Sequence, residues 1–263
     1  MIQAVIQVSV SNHYKQPDYC SEIVSQGLLW ERVELLEEEA EFCRIRQRDG
    51  YQSWVSSRQL AQSGMEKAQG LEWRLVRSHN ERIFSAPDRA STALRDVVIG
   101  SRLPVLAEER RWAQVVLPGG ETGWLESCHF GEIGPAGTAS IVSLAREFLG
   151  YQYSWGGRTP KGFDCSGFVQ TVFGLHGIEL PRDANMQQKL NLVSKDHHKA
   201  SAGDLLFFGE SPDRVTHVAI SLGDNRFIHA YGMVRENSFS AEDSDFSPKH
   251  LESFVSVNRY PLG

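Results

Sequence analysis

One cysteine and two histidines in the C-terminal half of the sequence have the types and spacing that nucleophilic catalysis needs. Cys165 lies in GFDCSGFVQTVF, where apolar residues at helical spacing follow Asp164 and predict a helix that begins at the cysteine. A thiol in a first helical turn, with Asp164 as the N-cap, lies close to backbone amides that favour a thiolate. Cys165 is therefore predicted to be a nucleophile with a lowered pKa, and a small buried apolar residue is the alternative.

A thiolate needs a proton acceptor that can later protonate a leaving amine, and histidine can do both near neutral pH. The segment VTHVAISLGDNRFIHAY contains two strand-like runs around Gly223, Asp224 and Asn225. A three-residue loop would place His217 and His229 diagonally adjacent on one face, whereas a two-residue loop without a bulge would separate them. Such a pair could supply a base and its orienting group, and two partly buried structural histidines are the alternative.

The remaining cysteines and histidines predict structure rather than chemistry. Cys20, Cys43 and Cys128 form no Cys-x-x-Cys pair with one another or with Cys165, and most other histidines, His250 among them, lie in polar stretches. We therefore expect no metal and no other cofactor. In a reducing compartment we expect free thiols.

The first half of the sequence contains an internal repeat. Residues 21–57 align without a gap with residues 91–127, at an offset of 70. Short alternating runs separated by Asp-Gly and Pro-Gly-Gly turns predict small antiparallel sheets in each copy. Each copy is too short for anything but a compact β-barrel, so we expect one barrel at 1–66 and a second at 67–133.

A Gly/Pro-rich segment after Cys128 and a change of pattern predict a third domain at 134–263. Its first part has two amphipathic helical patterns, the second from about 165 to 176. Four strand-like runs follow, DLLFF, VTHVAISL, NRFIHAY and FVSVNRY. Helices followed by strands predict an α+β domain after the two all-β barrels.

Composition and charge exclude several classes of partner. The net charge is -6 and the pI is about 5.9, which gives no general attraction to nucleic acid or to anionic lipid. The start, MIQAVIQVSV, has no basic region before its apolar residues, and no run approaches the length of a membrane span. If Met1 is the true start, we expect a cytoplasmic protein with no membrane or nucleic-acid partner.

Four motifs in the third domain, FDCSGFVQTVF, GDLLFF, THVAISLG and FIHAYG, resemble in this order the NlpC-type cell-wall cysteine peptidases. The segments DGYQSWV and GGETGWL of the two repeats resemble bacterial SH3-like domains. The resemblance implies a papain-like NlpC-type catalytic domain preceded by two small SH3-like barrels. It also implies that Cys165 is the nucleophile, His217 the base and His229 the third member of a triad.

The same resemblance assigns residues around the nucleophile. Tyr153, twelve residues before Cys165, matches a tyrosine associated with the oxyanion region, and a core aromatic is the alternative. Trp155, Asp164 and Ser166 match residues that line the substrate groove, although Trp155 could equally be a packing residue.

The two SH3-like copies, the segment LPRDANMQ and the absence of a recognisable leader resemble the subgroup that recycles murein peptides inside the cell. These enzymes are γ-D-glutamyl-L-diamino acid endopeptidases that require a free N-terminal L-Ala and release L-Ala-D-Glu. The resemblance implies that the substrate is a muropeptide, L-Ala-γ-D-Glu-diamino acid. It leaves open whether diaminopimelate or lysine is preferred.

A free-amine requirement needs anions where the substrate ammonium binds. Asp183 is the first candidate, and Arg182 could pair with a substrate carboxylate; a plain helix N-cap is the alternative for Asp183. By the subgroup's pattern, Glu31 and Tyr51 of the first barrel complete the amine pocket, and that barrel closes one end of the groove. Trp30 stands where the subgroup has a glycine.

Two other functions remain open from the sequence. One is a secreted murein hydrolase whose SH3-like domains bind the cell wall, and the other is a catalytically inert muropeptide-binding protein. The Cys/His/His set favours an enzyme over the inert protein. We expect a monomer.

Overall fold

The computed structural model describes residues 2–260, and the chain divides between Ile133 and Gly134 into two compact units, which we describe separately. Within residues 2–260, no helix combines the length and the apolar character that a bilayer crossing needs. The four cysteines are free thiols, with Cys43 and Cys165 buried and Cys20 and Cys128 exposed.

The N-terminal unit contains two antiparallel sheets. The strands of the first sheet are β1 (Ile2–Ile6), β2 (Val10–Tyr14), β3 (Ile23–Leu28), β4 (Arg32–Glu39), β5 (Phe42–Arg46), β6 (Gln52–Ser56) and β7 (Leu60–Ala61). Those of the second are β8 (Glu72–Leu75), β9 (Asn80–Phe84), β10 (Ala93–Val98), β11 (Arg102–Glu109), β12 (Trp112–Val116) and β13 (Thr122–Glu126). Their orders are β3-β2-β6-β5-β4-β1-β7 and β10-β9-β13-β12-β11-β8. Each strand from β9 to β13 is displaced by 70 residues from its counterpart among β2 to β6, so the repeat in the sequence is a repeat of structure.

Trp30 joins the two halves of this unit. Its backbone has φ of +69°, and Gly100, 70 residues later, has φ of +92°, so both repeats keep a left-handed residue at this position. The indole is 5% exposed, donates from Nε1 to the carbonyl oxygen of Val116 at 2.9 Å, and packs edge-on against Trp73. Trp30 therefore keeps the backbone conformation that favours glycine while its side chain enters the core shared by the two sheets.

The C-terminal unit combines helices with a six-stranded antiparallel sheet. The helices are α1 (Thr138–Glu147), α2 (Cys165–Leu175), α3 (Ala184–Gln187) and α4 (Pro248–Glu252). The strands are β14 (Arg158–Thr159), β15 (Gly162–Phe163), β16 (Leu192–Ser194), β17 (Leu205–Gly209), β18 (Val215–Gly223), β19 (Arg226–Tyr231), β20 (Met233–Ser238) and β21 (Phe254–Asn258). The sheet order is β16-β21-β17-β18-β19-β20, and β14 pairs with β15 separately. The α+β prediction is confirmed, and the helix predicted at about 165 to 176 is α2.

Helix α2 is the element that carries the predicted nucleophile, and it packs against strand β18. Its fully buried side chains include Phe168, Val169, Val172 and Phe173. At its N-terminal end, the rings of Phe163 and Phe168 pack edge-on against each other and against Phe148, with Phe163 and Phe148 5.1 Å apart. This cluster fixes where the helix begins relative to the sheet.

The hairpin of β18 and β19 differs in detail from the predicted three-residue loop. Gly223 pairs with Arg226, so the loop is only Asp224 and Asn225, both with positive φ (+47° and +61°) as a tight hairpin turn requires. A register shift between Ser221 and Gly223 inserts one extra residue, which is a β-bulge. The bulge, rather than a longer loop, places His217 and His229 on one face.

Candidate active site

Cys165 is the first residue of α2, and Asp164 caps that helix as predicted. An oxygen of the Asp164 carboxylate, Oδ1, accepts from the amide of Gly167 at 2.7 Å, and its other oxygen accepts from the amide of Gly156 at 3.0 Å. These bonds satisfy both backbone donors and lock the turn that leads into the helix. The position of the thiol is therefore set by a rigid backbone.

Arg182 forms a bidentate ion pair with the carboxylate of Asp164, which we call the Arg182 clamp. Its Nη1 donates to Asp164 Oδ1 at 3.1 Å and to Ser166 Oγ at 2.9 Å, and its Nη2 donates to Asp164 Oδ2. The side chains of Arg182 and Asp164 are 1% and 10% exposed. The expectation that Arg182 pairs with a substrate carboxylate is therefore wrong for this conformation, because its guanidinium is buried. The carboxylate of Asp164 and the hydroxyl of Ser166 likewise belong to this buried network rather than to an open groove.

The electrostatic surroundings of Cys165 differ from the prediction. Burial raises the pKa of the Cys165 thiol to about 12, the charge of Asp164 acts in the same direction, and bonds from the backbone of Val218 and Ser166 oppose both. The expected lowering of the pKa by the helix terminus is thus outweighed by desolvation. The resting group is a neutral thiol that must lose its proton during the reaction.

His217, His229 and Asn237 form a chain of hydrogen bonds whose direction can be deduced. Asn237 Nδ2 donates to the carbonyl oxygen of Asp245 at 2.7 Å, so its Oδ1, 3.0 Å from His229 Nε2, must accept from that nitrogen. His229 Nδ1 then has only a lone pair, and it accepts from Nε2 of His217 at 2.7 Å. Nδ1 of His217 is left as the basic nitrogen. The predicted pairing of His217 and His229 is confirmed, whereas Asn237 was missed by the sequence analysis.

His250 is a second residue that the sequence analysis missed. The residue is 5% exposed, and the centroid of its ring lies 4.7 Å from that of His229 and 5.4 Å from that of His217. Its Nδ1 is 2.6 Å from Ser247 Oγ. Burial lowers the pKa of His250 to about 4 and that of His229 to about 3, and it lowers the pKa of His217 well below its usual value. The three imidazoles are therefore neutral at neutral pH.

A cavity of about 760 Å³ opens on this cluster. Its lining includes Tyr153, Cys165, His217, Tyr231, Lys249 and His250. Nucleophile, base and the predicted oxyanion residue therefore face one space large enough for a peptide segment. Burial raises the pKa of Tyr153, and the charge of Asp164 acts in the same direction, so its hydroxyl stays protonated and can donate a hydrogen bond.

The remaining predicted substrate residues lie in different places. Trp155 is on the surface, 63% exposed. Asp183 is the N-cap of α3 by position, and its carbonyl oxygen accepts from the amides of Met186 and Gln187, but among the described residues its carboxylate makes no capping bond. An amine-binding role for Asp183 stays a prediction.

In the N-terminal unit, Glu31 and Tyr51 both contact Gln47. Gln47 Nε2 donates to Glu31 Oε1 at 3.0 Å, and the Gln47 amide donates to the carbonyl oxygen of Tyr51 at 2.9 Å. The other oxygen of Glu31 accepts from the amide of Leu28 at 3.0 Å. The two residues are thus anchored as neighbours within their own unit, and their role in amine binding stays a prediction.

Within the described part of the chain, two clusters have ligand atoms close enough to suggest a metal, namely His217, His229 and His250, and Glu126, Cys128 and His129. In the first, the facing nitrogens of His217 and His229 are already joined by a hydrogen bond of 2.7 Å. In the second, the Glu126 carboxylate is bound by the guanidinium groups of Arg89 and Arg111. Both sets are therefore engaged in protein contacts that a cation would have to displace.

A cysteine at a helix start, a histidine on an adjacent antiparallel strand and a polar residue that orients that histidine define a papain-like cysteine peptidase. The particular family follows from comparison with known proteins. Residues 150–254 match the NlpC/P60 family, and residues 13–60 match the bacterial dipeptidyl-peptidase SH3 domain. The C-terminal unit therefore belongs to the NlpC/P60 family, and an SH3-type all-β region precedes it. The resemblance inferred from the four motifs is confirmed.

Individual relatives agree with this assignment. A γ-D-glutamyl-L-lysine dipeptidyl-peptidase of Bacillus cereus is 28% identical over 258 residues, which cover 91% of this chain and 76% of the relative. A γ-DL-glutamyl hydrolase of Bacillus subtilis is 45% identical over 105 residues, which cover 38% of this chain and 25% of the relative. The crystal structure of an NlpC/P60 family protein of Bacillus cereus superposes with a TM-score of 0.87 at 23% identity, covering 99% of this chain and 100% of that one. This last similarity establishes the shared fold.

The hydrogen-bond chain predicts an effect of Asn237. Replacing Asn237 with Leu removes the acceptor that fixes the tautomer of His229, so His217 is no longer held with Nδ1 as the base. We expect kcat to fall about 100-fold while KM changes less than about twofold. Asn237→Asp keeps the acceptor and serves as the control. An unchanged kcat in Asn237→Leu would show that the tautomer does not depend on this residue.

Proposed function

We propose that this protein is a cysteine peptidase that hydrolyses the γ-D-glutamyl-L-diamino acid bond of peptidoglycan stem peptides. The observation that carries the proposal is the chain from Asn237 through His229 to His217, which faces the same cavity as Cys165. The relatives named for γ-glutamyl bonds support the substrate class. The preferred substrate is a muropeptide with a free N-terminal L-Ala, and the product is L-Ala-D-Glu.

The first half of the reaction forms a thioester. As Cys165 Sγ attacks the γ-carbonyl carbon of D-Glu, Nδ1 of His217 takes the thiol proton and the carbonyl oxygen becomes an oxyanion. The protonated Tyr153 hydroxyl borders the same cavity and stabilises that oxyanion. His217 then returns the proton to the leaving nitrogen, the C–N bond breaks, and the diamino acid departs as an amine.

The second half restores the enzyme. Water enters where the amine left, and His217 takes one of its protons as the oxygen attacks the thioester carbon. The C–S bond breaks, Cys165 regains its proton from His217, and the γ-carboxyl group of D-Glu is released. His229, with its own tautomer held by Asn237, keeps His217 oriented through both proton transfers.

Murein peptide recycling within the cytoplasm is the biological role we propose, and it predicts selectivity for a free amine. Asp183, Glu31 and Tyr51 are the residues predicted to provide it. We expect Glu31→Gln or Tyr51→Phe to raise KM for the free-amine peptide, and unchanged kinetics would remove these two residues from the proposal.

The decisive assay compares L-Ala-γ-D-Glu-diaminopimelate and its lysine analogue with the same peptides acetylated at the N-terminus. We expect release of L-Ala-D-Glu from the free peptides, identified by mass spectrometry, and loss of at least about tenfold in kcat/KM on acetylation. Equal cleavage of free and acetylated peptides would contradict the free-amine requirement. Cleavage at a bond other than the γ-D-glutamyl bond would contradict the proposed reaction.

A further inference from the structure

Lys249 places a positive charge at the rim of the catalytic cavity. Its Nζ donates to the hydroxyl of Tyr231 at 2.8 Å and lies 5.0 Å from the centroid of the same ring. Across residues 2–260, no carboxylate oxygen lies within ion-pair distance of this ammonium group. Tyr231 therefore holds a cation in place without neutralising it, and the charge faces a space that the substrate must enter.

The position of Tyr231 shows which half of a substrate this charge would meet. The ring of Tyr231 lies 6.0 Å from that of His217 and 5.2 Å from that of His250, so Lys249 is on the imidazole side of the cavity. His217 has to deliver its proton to the leaving nitrogen. The residue that carries this nitrogen must therefore bind on the same side, next to Lys249.

We propose that Lys249 binds the free carboxylate of the residue whose amine is released, and so favours peptides that end at that residue. The inference rests on the proposed function and names a subsite for it. The α-carboxylate of such a residue is one carbon away from the leaving nitrogen, so a cation beside the imidazole can reach it. Glu252 also borders this cavity, and its charge complements the side-chain ammonium of a diamino acid.

The test compares two peptides and three variants. L-Ala-γ-D-Glu-L-Lys with a free C-terminal carboxylate and the same peptide with a C-terminal carboxamide differ only in the group that Lys249 would bind. We expect the wild-type protein to prefer the acid by about three- to tenfold in kcat/KM, through KM. Lys249→Met should abolish this preference by raising KM for the acid alone, and Lys249→Arg should retain most of it. Lys195→Met, which removes an exposed lysine outside the cavity lining, should match the wild type.

An equal effect of Lys249→Met on both peptides, or no effect on either, overturns the proposal. A second measurement separates this failure from a failure of the proposed function. Alkylation of Cys165 at pH 8.5 by anionic iodoacetate and by neutral iodoacetamide, followed by peptide mass spectrometry, needs no substrate. We expect Lys249→Met to lower the iodoacetate-to-iodoacetamide rate ratio about threefold. If neither peptide is cleaved, the proposed function fails, and an unchanged alkylation ratio then overturns the role of Lys249 as well.

Discussion

Replacing Cys165 with Ala is expected to lower kcat for the γ-D-glutamyl substrate by at least about 10⁴-fold, because no other group can form the thioester. The buried site should tolerate the change, since the Asp164 cap, the Arg182 clamp and the His217–His229 pair do not depend on the sulfur. Product formation in the presence of EDTA should equal that in its absence for the wild type, because each proposed step uses only protein groups. The measurement is single-turnover release of L-Ala-D-Glu.

The matched control is Cys128→Ser, which removes an exposed thiol from the N-terminal unit and should keep full activity. Substantial turnover by Cys165→Ala, or loss of wild-type activity in EDTA, would contradict the thiol mechanism.

The raised pKa of Cys165 also predicts how the rate of its alkylation depends on pH. A neutral resting thiol predicts that alkylation by iodoacetamide accelerates from pH 6 to pH 9, whereas a resting thiolate would give a rate already at its plateau at pH 6.

Replacing Arg182 with Met is expected to lower the free energy of unfolding of the C-terminal unit by about 3–5 kcal/mol. The change removes the cationic partner of a buried carboxylate and leaves Asp164 with hydrogen bonds from backbone amides and the Ser166 hydroxyl. The network also orients Ser166 and the start of α2, so the loss should be accompanied by reduced kcat. Hydrogen–deuterium exchange in denaturant, read on peptides from residues 134–260, assigns the destabilisation to this unit.

Two controls isolate the charge effect. Arg214→Met breaks an exposed pair with Glu210 and should cost less than about 1 kcal/mol. The double variant Asp164→Asn with Arg182→Met keeps the helix cap but removes the unpaired charge, so it should be more stable than Arg182→Met alone. If Arg182→Met were no less stable than Arg214→Met, the guanidinium would not be a structural clamp.

The sequence predicts the catalytic pair well because hairpin pairing is a local property. The strand patterns around His217 and His229 and the Gly-Asp-Asn turn are sufficient to put both rings on one face once a bulge or an extra loop residue is allowed. The sequence does not show whether a β-bulge or a three-residue loop brings the two rings together. Gly223 is compatible with both, and only the observed strand register selects the bulge.

Asn237, His250 and Arg182 were missed or misassigned for a different reason. Arg182 and His250 act through contacts with residues that are distant in the chain, so local pattern carries no signal for them. Asn237 lies only eight positions from His229, but it is on β20, a strand that is not among the four predicted from the sequence. His250 follows Lys249 in a polar stretch, yet α4 turns its ring onto the catalytic pair. Arg182 is next to Asp183 in the sequence, but its side chain runs 18 positions back to Asp164. Desolvation of Cys165 is likewise a property of the packed unit and not of the helix start.

The indole of Trp30 has a consequence for the evolution and engineering of the N-terminal region. A duplication normally yields two modules that can be shuffled separately, but here one copy contributes an aromatic side chain to the interior of the other. Recombination that separates the two repeats would expose the apolar indole of Trp30 to solvent in the first repeat and leave a cavity in the core of the second. The two repeats can therefore be inherited or transferred only as one unit.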